Sequence, residues 1–541
     1  MIYARYFSIL LILVIAVSIF SSGGCNGNKA QPIPDDINRI ITEPLYSEAT
    51  WSLEVVDVDS GEVVYQMNPD ILAFTGSVRK LFSTALALIE LGPDHRFSTP
   101  VYRTGDVDGK GVLDGDLILV ASGDLTLGGR NTPEGTIAFT DFDHVDANPL
   151  GSAILTPKDP LTGLNSLAQQ VAASGISEIS GDVIIDDRLF EEFVVPNGSR
   201  VISPIVVNDN LVDVTIIPTE PGQPAQVDWR PKSAAFELEA DVTTIEQGEA
   251  LDINLDTAET TCIGTAGCKG TVQGQIPVGY KPDLPGVETL VQTFKIDNPS
   301  AYARTAFIEA LRRAGLTVNT NLTGQNPAGK LPPENSYSPD DLVAELVSLP
   351  FSEYSNLVLK VSHNYGANLN IILFGVAKGV RTIEDALEAE RGVLVNDFGI
   401  PGNEFDFPTN GSGSPDSRAT PDAIIKLLTE MRESGVFTEY FDSLPILGVD
   451  GSLATVGLDP PNPLIQEAFG RVYAKTGTTA AGGTTLSLIA QNFAGYIDSK
   501  KDRRLAYVVM VNNVGEIENV SDILRVFDDQ GEISAIIWRD N

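Results

Sequence analysis

The 541-residue chain carries 73 acidic and 36 basic residues, which gives it a formal net charge of −37. Such a surface repels phosphate backbones, so nucleic-acid binding is excluded as its function. Hydrophobic residues make up 43% of the chain, which is typical of a folded protein. The length is too great for one core and predicts roughly two to four domains.

The N-terminal residues 1–25 have the pattern of a secretory signal peptide. Their apolar run, residues 7–20, is too short to cross a bilayer comfortably, because that takes about 20 residues. Small residues then precede Cys25, as at a bacterial lipoprotein processing site, and we expect cleavage to leave Cys25 lipidated. An ordinary signal peptide and an uncleaved anchor are the alternatives. All three place the protein outside the cytoplasm, and a polar linker is expected over residues 26–43.

The remaining cysteines, Cys262 and Cys268, stand close together in a segment that contains glycine. In an oxidising compartment this spacing favours a small-loop disulfide. A metal site is poorly supported, since two cysteines supply half a tetrahedral shell and the chain has only three histidines. We therefore expect a disulfide here, and neither a metal nor another cofactor.

The predicted elements change character twice along the chain. Residues 44–105 predict two strands and an apolar helix. Short β-patterned runs bounded by Gly, Pro or Asp dominate residues 106–330. Helices return in residues 331–541, together with late strand signals. This order indicates one α/β domain that is interrupted after its first helix by a β-rich insertion and then resumed.

The first helix carries a serine and a lysine on one face, although most of the helix is apolar. Ser77 and Lys80 are i and i+3 neighbours near the helix start, where backbone N–H groups are free. A serine becomes a nucleophile when a base takes its proton, and a lysine can be that base if burial lowers its pKa. The alternative is that Ser77 caps the helix and Lys80 reaches solvent.

A second polar group, Ser362-His363-Asn364, interrupts an apolar helical stretch. A hydroxyl and a carboxamide two residues apart can pass a proton and hold a substrate carbonyl. The alternative is a helix end or a turn, where serine and asparagine are common.

A third polar group, Lys475-Thr476-Gly477-Thr478, follows a strand-like run. A strand edge offers N–H and C=O groups to a peptide that adds as a further strand. Gly477 leaves room for close backbone approach, and Lys475 supplies a cation for a substrate carboxylate. The alternative is an ordinary strand end.

Together and in this order, the motifs S-x-x-K, S-x-N and K-T-G resemble the signature of penicillin-recognising serine enzymes. The long gap between the first two is similar to that of the low-molecular-mass class C penicillin-binding proteins, the D-Ala-D-Ala carboxypeptidase/endopeptidase family. The likeness runs from about Trp51 to Asn513. It implies an α/β (α+β) fold in which a transpeptidase/β-lactamase-like domain, an antiparallel sheet flanked by helices, is interrupted by inserted β-rich domains.

The resemblance also implies a serine D,D-peptidase that acts on peptidoglycan stem peptides in the cell envelope. Ser77 would attack the D-Ala-D-Ala carbonyl and form an acyl-enzyme. Lys80 would be its general base, and Ser362 would relay the proton to the leaving amine. β-Lactams mimic this substrate and would trap Ser77. Carboxypeptidases and endopeptidases use the same residues, so that choice stays open, as does the oligomeric state.

The same resemblance implies which residues bind substrate. Asn364 would hydrogen-bond the substrate backbone, and Lys475 and Thr476 would bind the terminal carboxylate. The backbone N–H groups of the nucleophilic serine and of Thr478 would form the oxyanion hole. Gly477, directly before Thr478, would also belong to the substrate-binding residues.

Three features depart from the pattern of that family. His363 stands where aspartate is frequent, Asn410 stands where an aspartate precedes Gly-Ser-Gly, and the segment after Thr478 looks longer than usual. None of them removes a catalytic group. Two alternatives therefore stay weaker: a catalytically silent wall-binding protein, which the complete motif set disfavours, and a β-lactamase, which the long insertion disfavours.

Overall fold

The structure is a computed structural model of the chain. It describes residues 30–196, 200–256, 268–482, 486–517 and 520–541. The predictions for residues 1–25, including lipidation at Cys25, and those for Cys262 lie outside these ranges. Among the helices that are described, none is both long and apolar enough to cross a membrane.

The first part of the chain forms a strand pair and the helix that follows Ser77. Its elements are α1 (Asp35–Ile41), β1 (Thr50–Asp57), β2 (Val63–Met67), β3 (Ala73–Phe74) and α2 (Lys80–Leu91). A 3₁₀ turn, Gly76–Arg79, contains Ser77 and runs directly into α2. Every residue of α2 from Lys80 to Leu88 is buried. The helix therefore passes through the interior of its domain, and its buried residues include the polar Lys80, Ser83 and Thr84.

A β-rich region follows. Its strands are β4 (Ser98–Arg103), β5 (Asp106–Val107), β6 (Val112–Asp114), β7 (Leu117–Val120), β8 (Glu178–Ile179), β9 (Val183–Asp186), β10 (Phe193–Val195), β11 (Arg200–Ile202), β12 (Leu211–Ile217), β13 (Gln226–Arg230), β14 (Glu237–Ile245), β15 (Asp252–Asp256), β16 (Lys269–Pro277), β17 (Leu290–Lys295), β18 (Thr317–Val318) and β19 (Leu342–Val347). Its helices are α3 (Ala147–Leu150), α4 (Thr162–Ala173) and α5 (Pro299–Arg313). The strands form small sheets with the orders β19-β4-β7-β9, β18-β8-β6-β5, β13-β12-β17 and β14-β16-β15, and one hairpin, β10-β11.

The last part of the chain returns to helices and then completes a long sheet. Its elements are α6 (Phe351–Lys360), α7 (Asn364–Ala377), α8 (Ile383–Asn396), β20 (Phe405–Asp406), β21 (Arg418–Ala419), α9 (Pro421–Glu433), α10 (Phe437–Asp442), α11 (Pro463–Glu467), β22 (Val472–Gly482), β23 (Leu486–Asp498), β24 (Arg504–Ile517) and α12 (Val520–Asp540).

The central sheet joins the first and last parts of the chain. Its order is β2-β1-β24-β23-β22, and every neighbouring pair is antiparallel. Side chains of β24 alternate between the two faces, as the two-residue period of a strand requires. Val508 and Met510 belong to the core formed with α2, α7 and α9, whereas Val509 and Val511 belong to the core formed with α12. The predicted antiparallel sheet flanked by helices is confirmed.

The pairing of two strands bears on the expected boundaries of the insertion, at residues 105/106 and 330/331. β4 and β19 pair antiparallel, with Thr99 opposite Leu346, and both belong to the sheet that contains β7 and β9. These strands lie on the outer sides of the expected boundaries. We therefore propose that the insertion begins at β4 and ends at β19.

The described part of the expected linker, residues 30–43, is folded onto the central domain. Helix α1 buries Ile37 and Ile40 in the core that contains α12. The i, i+3 spacing of these isoleucines places both on one face of the helix. Gln31 also forms a bridge with Tyr65 on β2. We therefore propose that residues 30–43 belong to the central domain rather than to a linker.

Cys268 lies in the core of the insertion, where it is buried and disulfide-bonded. Its expected partner, Cys262, is outside the described residues, so the pairing of these two cysteines stays a prediction.

Candidate active site

The turn that carries Ser77 packs backbone to backbone against strand β22. Gly76 has a φ of 49°, in the left-handed region that glycine adopts readily. A Cβ at Gly76 would lie 2.8 Å from the Thr478 nitrogen, and a Cβ at Gly477 would collide with the Thr75 carbonyl oxygen. Both positions therefore require glycine, and their contact sets Ser77 beside the third motif.

Lys80 lies where the first two motifs meet, and it is fully buried. Its Nζ is 2.6 Å from Ser77 Oγ and 3.3 Å from Ser362 Oγ. It donates to Asn364 Oδ1 at 2.6 Å and to the Ser412 carbonyl at 3.1 Å. Four oxygen atoms therefore surround one nitrogen. A neutral amine here has two N–H bonds to donate and a lone pair that can accept the Ser77 hydroxyl.

The charge state of the two motif lysines follows from their burial. Burial lowers the pKa of Lys80 to about 7, although the negative charge of Asp146 opposes this shift. Burial also holds the pKa of Lys475 well below its usual value; the charge of Lys80 acts in the same direction and Asp146 again opposes it. The arrangement therefore favours a neutral Lys80 that can take a proton near neutral pH.

Ser362 lies in a tight turn between α6 and α7. Its φ of 60° is in the left-handed region, which a serine rarely adopts. Strain of this kind is found at functional sites because the surrounding contacts must hold it in place. Here the turn brings the Ser362 hydroxyl into contact with Lys80. It also brings the Asn364 amide, at the start of α7, into contact with the same lysine.

His363 faces the insertion and not the Lys80 cluster. The imidazole is fully buried, and its Nδ1 accepts a hydrogen bond from the Gly366 N–H at 2.9 Å, which caps α7. Its Nε2 lies 3.3 Å from Asp209 Oδ1 of the insertion. His363, the unusual residue of the second motif, therefore caps α7 and contacts the insertion instead of contacting Lys80.

Strand β22 carries the third motif beside the Ser77 turn. Lys475 is buried, and its Nζ donates to the Thr476 carbonyl at 2.8 Å. Thr476 Oγ1 donates to Ser452 Oγ at 2.9 Å, and Thr478 Oγ1 donates to Gln491 Oε1 on β23 at 2.6 Å. The hairpin of β22 and β23 continues beyond this point, so the segment after the motif is extended strand.

Asn410 supports the Gly-Ser-Gly turn in the place of an aspartate. Its Oδ1 accepts from the N–H groups of Ser412 and Gly413 at 2.9 and 2.7 Å, and its Nδ2 donates to the Ser414 carbonyl at 3.2 Å. An amide oxygen accepts these bonds as a carboxylate would. The turn therefore still delivers the Ser412 carbonyl to Lys80.

Two asparagines of the central sheet hold the segment before Ser77, and sequence reasoning missed both. Asn492 on β23 donates from Nδ2 to the carbonyls of Phe74 and Thr75, each at 2.9 Å. Asn512 on β24 accepts through Oδ1 from the Phe74 N–H at 2.8 Å. A carboxamide inside a largely apolar strand is the sequence signal that could have found them.

Asp146 is a further residue that sequence reasoning missed. It lies in the insertion just before α3, and its Oδ1 accepts from Asn364 Nδ2 at 3.2 Å. Its charge raises the pKa values of Lys80 and Lys475 against the effect of burial. No sequence signal marked it out among the 73 acidic residues.

Comparisons with known proteins point to one family. Residues 33–528 match the model of the D-Ala-D-Ala carboxypeptidase 3 (S13) family. The chain is 27% identical over 480 residues to the D-alanyl-D-alanine carboxypeptidase of Actinomadura sp. (strain R39), a match that covers 84% of this chain and 77% of that protein. It is 20% identical over 497 residues to the D-alanyl-D-alanine carboxypeptidase DacB of Haemophilus influenzae, which covers 88% and 89%.

Solved structures share the fold over nearly the whole chain. Penicillin-binding protein 4 (DacB) from Haemophilus influenzae superposes with a TM-score of 0.66 at 18% identity, over 91% of this chain and 98% of that one. Its complex with a novel β-lactam superposes with a TM-score of 0.64 at 19% identity, over 93% and 99%. The fold is that of the penicillin-binding proteins, and the expected fold class is confirmed.

Fold and family together define the class as serine-type carboxypeptidases, which are hydrolases. Because the family model covers most of its length, the chain belongs to the D-Ala-D-Ala carboxypeptidase 3 (S13) family. The resemblance drawn from the three motifs is therefore confirmed at the level of the family.

Proposed function

We propose that this protein cleaves the D-Ala-D-Ala bond of peptidoglycan stem peptides through an acyl-enzyme on Ser77. The observation that carries the proposal is the buried Lys80 amine, 2.6 Å from the Ser77 hydroxyl. Its pKa of about 7 suits a general base at neutral pH. The names of the carboxypeptidase relatives support the substrate class, and the β-lactam complex of penicillin-binding protein 4 supports β-lactams as inhibitors.

The reaction begins when Ser77 Oγ attacks the carbonyl carbon of the penultimate D-Ala and gives its proton to Lys80. The N–H groups of Ser77 and Thr478 stabilise the oxyanion. As the C–N bond breaks, the proton passes from Lys80 through Ser362, 3.3 Å away, to the leaving nitrogen. Water then attacks the ester carbonyl, and the shortened peptide leaves as Ser77 regains its proton.

The other motif residues hold the substrate during this step. The peptide adds along β22 as a further strand, and the Asn364 amide binds its backbone. Lys475 and Thr476 bind the terminal carboxylate. Because an opposite charge favours the protonated amine, the arriving carboxylate raises the pKa of Lys475 again. A free D-Ala and a cross-linked stem peptide both fit this scheme, so carboxypeptidase and endopeptidase activities both belong to the proposal.

The proposed substrate places the protein in the cell envelope, outside the cytoplasm. The apolar residues 7–20 and the small residues before Cys25 support an N-terminal lipid anchor there. Incorporation of labelled palmitate by the wild type, and its loss in Cys25→Ala, is the expected result. Labelling of both proteins would contradict an anchor at this cysteine.

Penicillin labelling of Ser77→Ala tests the catalytic proposal. We expect intact-mass spectra to show one lasting benzylpenicillin adduct on wild type, located on the Ser77 peptide, and none on the variant. Ser174→Ala, which alters an exposed serine of the insertion, is the matched control and should label fully. An adduct on Ser77→Ala would contradict the assignment. A wild-type adduct that vanishes within seconds would indicate a β-lactamase, and no adduct would indicate the silent wall-binding protein.

A further inference from the structure

The insertion contacts three successive residues of the second motif and the start of α7. The contacts are His363 Nε2 to Asp209 Oδ1 at 3.3 Å, Asn364 Nδ2 to Asp146 Oδ1 at 3.2 Å, and the Tyr365 hydroxyl to the Ser203 N–H at 3.1 Å and to Asn210 Nδ2 at 2.9 Å. Ser362, which stands 3.3 Å from the Lys80 amine, directly precedes this run. The insertion therefore holds the backbone that positions two members of the proposed active site.

The segment that reaches His363 has an unusual backbone. Asn208, Asp209 and Asn210 are three successive residues with φ values of 53°, 55° and 53°, all in the left-handed region. Asparagine and aspartate tolerate this region better than other side chains, which accounts for the residue types. The Val207 N–H donates to Asn210 Oδ1 at 3.1 Å, and the Asn210 N–H donates to the Val207 carbonyl at 3.0 Å. These bonds close the turn and aim the Asp209 carboxylate at the second motif.

Cations on the insertion side fix the Asp209 carboxylate. Its Oδ2 accepts from Arg130 Nη2 and from His144 Nε2, each at 2.7 Å. Arg130 is held in turn by Asp143, and His144 donates from its other nitrogen toward Asp213 at 2.6 Å. Burial alone would raise the pKa of Asp209, but Arg130 and His144 outweigh it and hold that pKa well below its usual value. The carboxylate is therefore an anion with one oxygen left for His363.

The tautomer of His363 places an N–H group opposite the free oxygen of Asp209, Oδ1. Since Nδ1 accepts from the Gly366 N–H, the ring proton is on Nε2, which faces Asp209. At 3.3 Å the N–H dipole lies in contact with the carboxylate charge, although the N–H is not aligned for a hydrogen bond. Neither atom has a hydrogen-bond partner elsewhere in the described part of the chain. Buried polar atoms are seldom left unpaired, so we infer that His363 Nε2 and Asp209 Oδ1 are partners of each other.

We propose that Asp209 is a positioning residue for the peptidase reaction: through His363 it holds the Ser362 turn and Asn364 in register with Lys80. The inference rests on the proposed function, because it describes how the same site is held. A shift of about 1 Å in a catalytic group can reduce a rate about 100-fold, so loss of this contact lowers the rate of acylation. The insertion is then part of the catalytic machinery rather than an appended domain.

Asp209→Asn and His363→Asn test this role separately. Asparagine tolerates the left-handed φ at position 209, so the first variant removes the charge but keeps the turn. Asparagine is also a good N-cap, so the second variant keeps the acceptor for the Gly366 N–H and removes the reach to Asp209. Asp182→Asn is the matched control, because Asp182 also belongs to the insertion and also binds two cations, Arg304 and Lys330, each at 2.7 Å.

The measurement is the second-order rate constant for acylation by benzylpenicillin. The unfolding temperature of every variant is measured as well, so that a loss of stability can be told from a loss of rate. We expect at least about tenfold slower acylation for Asp209→Asn and for His363→Asn. Asp182→Asn should lower the unfolding temperature but leave the rate within about twofold of wild type. In Asp209→Asn/His363→Asn the two effects should not add, because both changes break one contact. A purely structural role predicts lower unfolding temperatures for these variants and a wild-type acylation rate for the protein that remains folded.

Two results would overturn the inference: wild-type acylation by folded His363→Asn, or additive losses in the double variant. If Asp209→Asn does not fold, the rate of His363→Asn alone decides between the two readings. Failure of the proposed function looks different, because wild type itself would then form no adduct on Ser77.

Discussion

Lys80 differs from a surface lysine because the fold removes it from water and surrounds it with neutral oxygens. Two hydroxyls, one amide oxygen and one backbone carbonyl lie within 3.3 Å of its Nζ, and none of them belongs to a carboxylate. Such oxygens accept the N–H bonds of a neutral amine without stabilising its charged form as a carboxylate would. Burial therefore dominates, and the pKa of Lys80 falls to about 7.

The pH dependence of acylation follows from this pKa. Only neutral Lys80 can accept the Ser77 proton, and the neutral form prevails above pH 7 because the pKa is lowered to about 7. We expect the second-order rate constant for benzylpenicillin to rise about tenfold per unit below that pH and to level off above it. Stopped-flow acylation measures it, with thermal unfolding at each pH as the control. A flat profile between about pH 5.5 and 8 would contradict a lysine base of this kind.

Lys475 allows a prediction that separates carboxylate binding from a general defect. Removing one partner of a buried charge pair costs about 2 kcal/mol or more, so Lys475→Ala should lower kcat/KM for an acyl-D-Ala-D-Ala peptide at least about 30-fold. The matched measurement uses the same peptide with its terminal carboxylate amidated. On that substrate the variant should equal wild type, and an equal loss on both peptides would reject the proposed carboxylate contact.

At the level of elements, the site depends on backbones that approach more closely than side chains would allow. The Gly76 turn is packed between strand β22 on one side and the Gly-Ser-Gly turn on the other, where a Cβ at Gly413 would collide with the Gly76 carbonyl. These three segments come from distant parts of the chain. The glycines let Ser77 stand beside both the third motif and the Ser412 carbonyl that binds Lys80.

Gly477→Ala should therefore open the cleft. The new methyl group would collide with the Thr75 carbonyl and press on the Val78 nitrogen at 2.8 Å. We expect a loss of about 1–3 kcal/mol in the free energy of unfolding and acylation slowed at least about tenfold. Gly392→Ala in α8 is the control, because a Cβ there meets no atom within 4 Å. It should stabilise the protein by about 0.5–1 kcal/mol at an unchanged rate, and equal effects of the two variants would contradict the close approach.

At the level of the whole molecule, the insertion is closed at its base. β4 and β19, at its two ends, pair with each other, so the chain leaves and re-enters the central domain at neighbouring points. The helix α2 before the insertion and α6 and α7 after it then pack in one core. This is how Ser77 and Ser362 meet despite their separation in sequence.

The acidity of the whole chain predicts a response to salt. A net charge of −37 disfavours the compact state through self-repulsion, and salt screens exposed charges. We expect the unfolding temperature at pH 7 to rise between about 0.05 and 1 M NaCl, where the Debye length falls to about 3 Å. The rise should shrink as the pH approaches the sequence pI of about 4.3, where the net charge vanishes. A salt response that does not change with pH would mean that self-repulsion is not its cause.

Much of the candidate site could be predicted because its residues belong to short sequence motifs. Ser77 with Lys80, Ser362 with Asn364, and Lys475 to Thr478 are each local in sequence, and their residue types state the chemistry directly. The sheet was predictable for a similar reason, since the late strands show strong apolar patterns. The proposed ends of the insertion are harder to predict, because β4 and β19 are short and are recognised as its ends only by their pairing with each other.

By itself, the sequence determined the family, the class of reaction and the order of the three motifs. Only the tertiary structure decided that Asp146 and Asp209 of the insertion reach the second motif, that Asn492 holds the turn before Ser77, and that burial lowers the pKa of Lys80. The reason is physical: these properties depend on contacts between residues far apart in the chain and on exclusion of water. Long-range contacts and the exclusion of water do not produce a local pattern of residue types, so they cannot be recognised in the sequence.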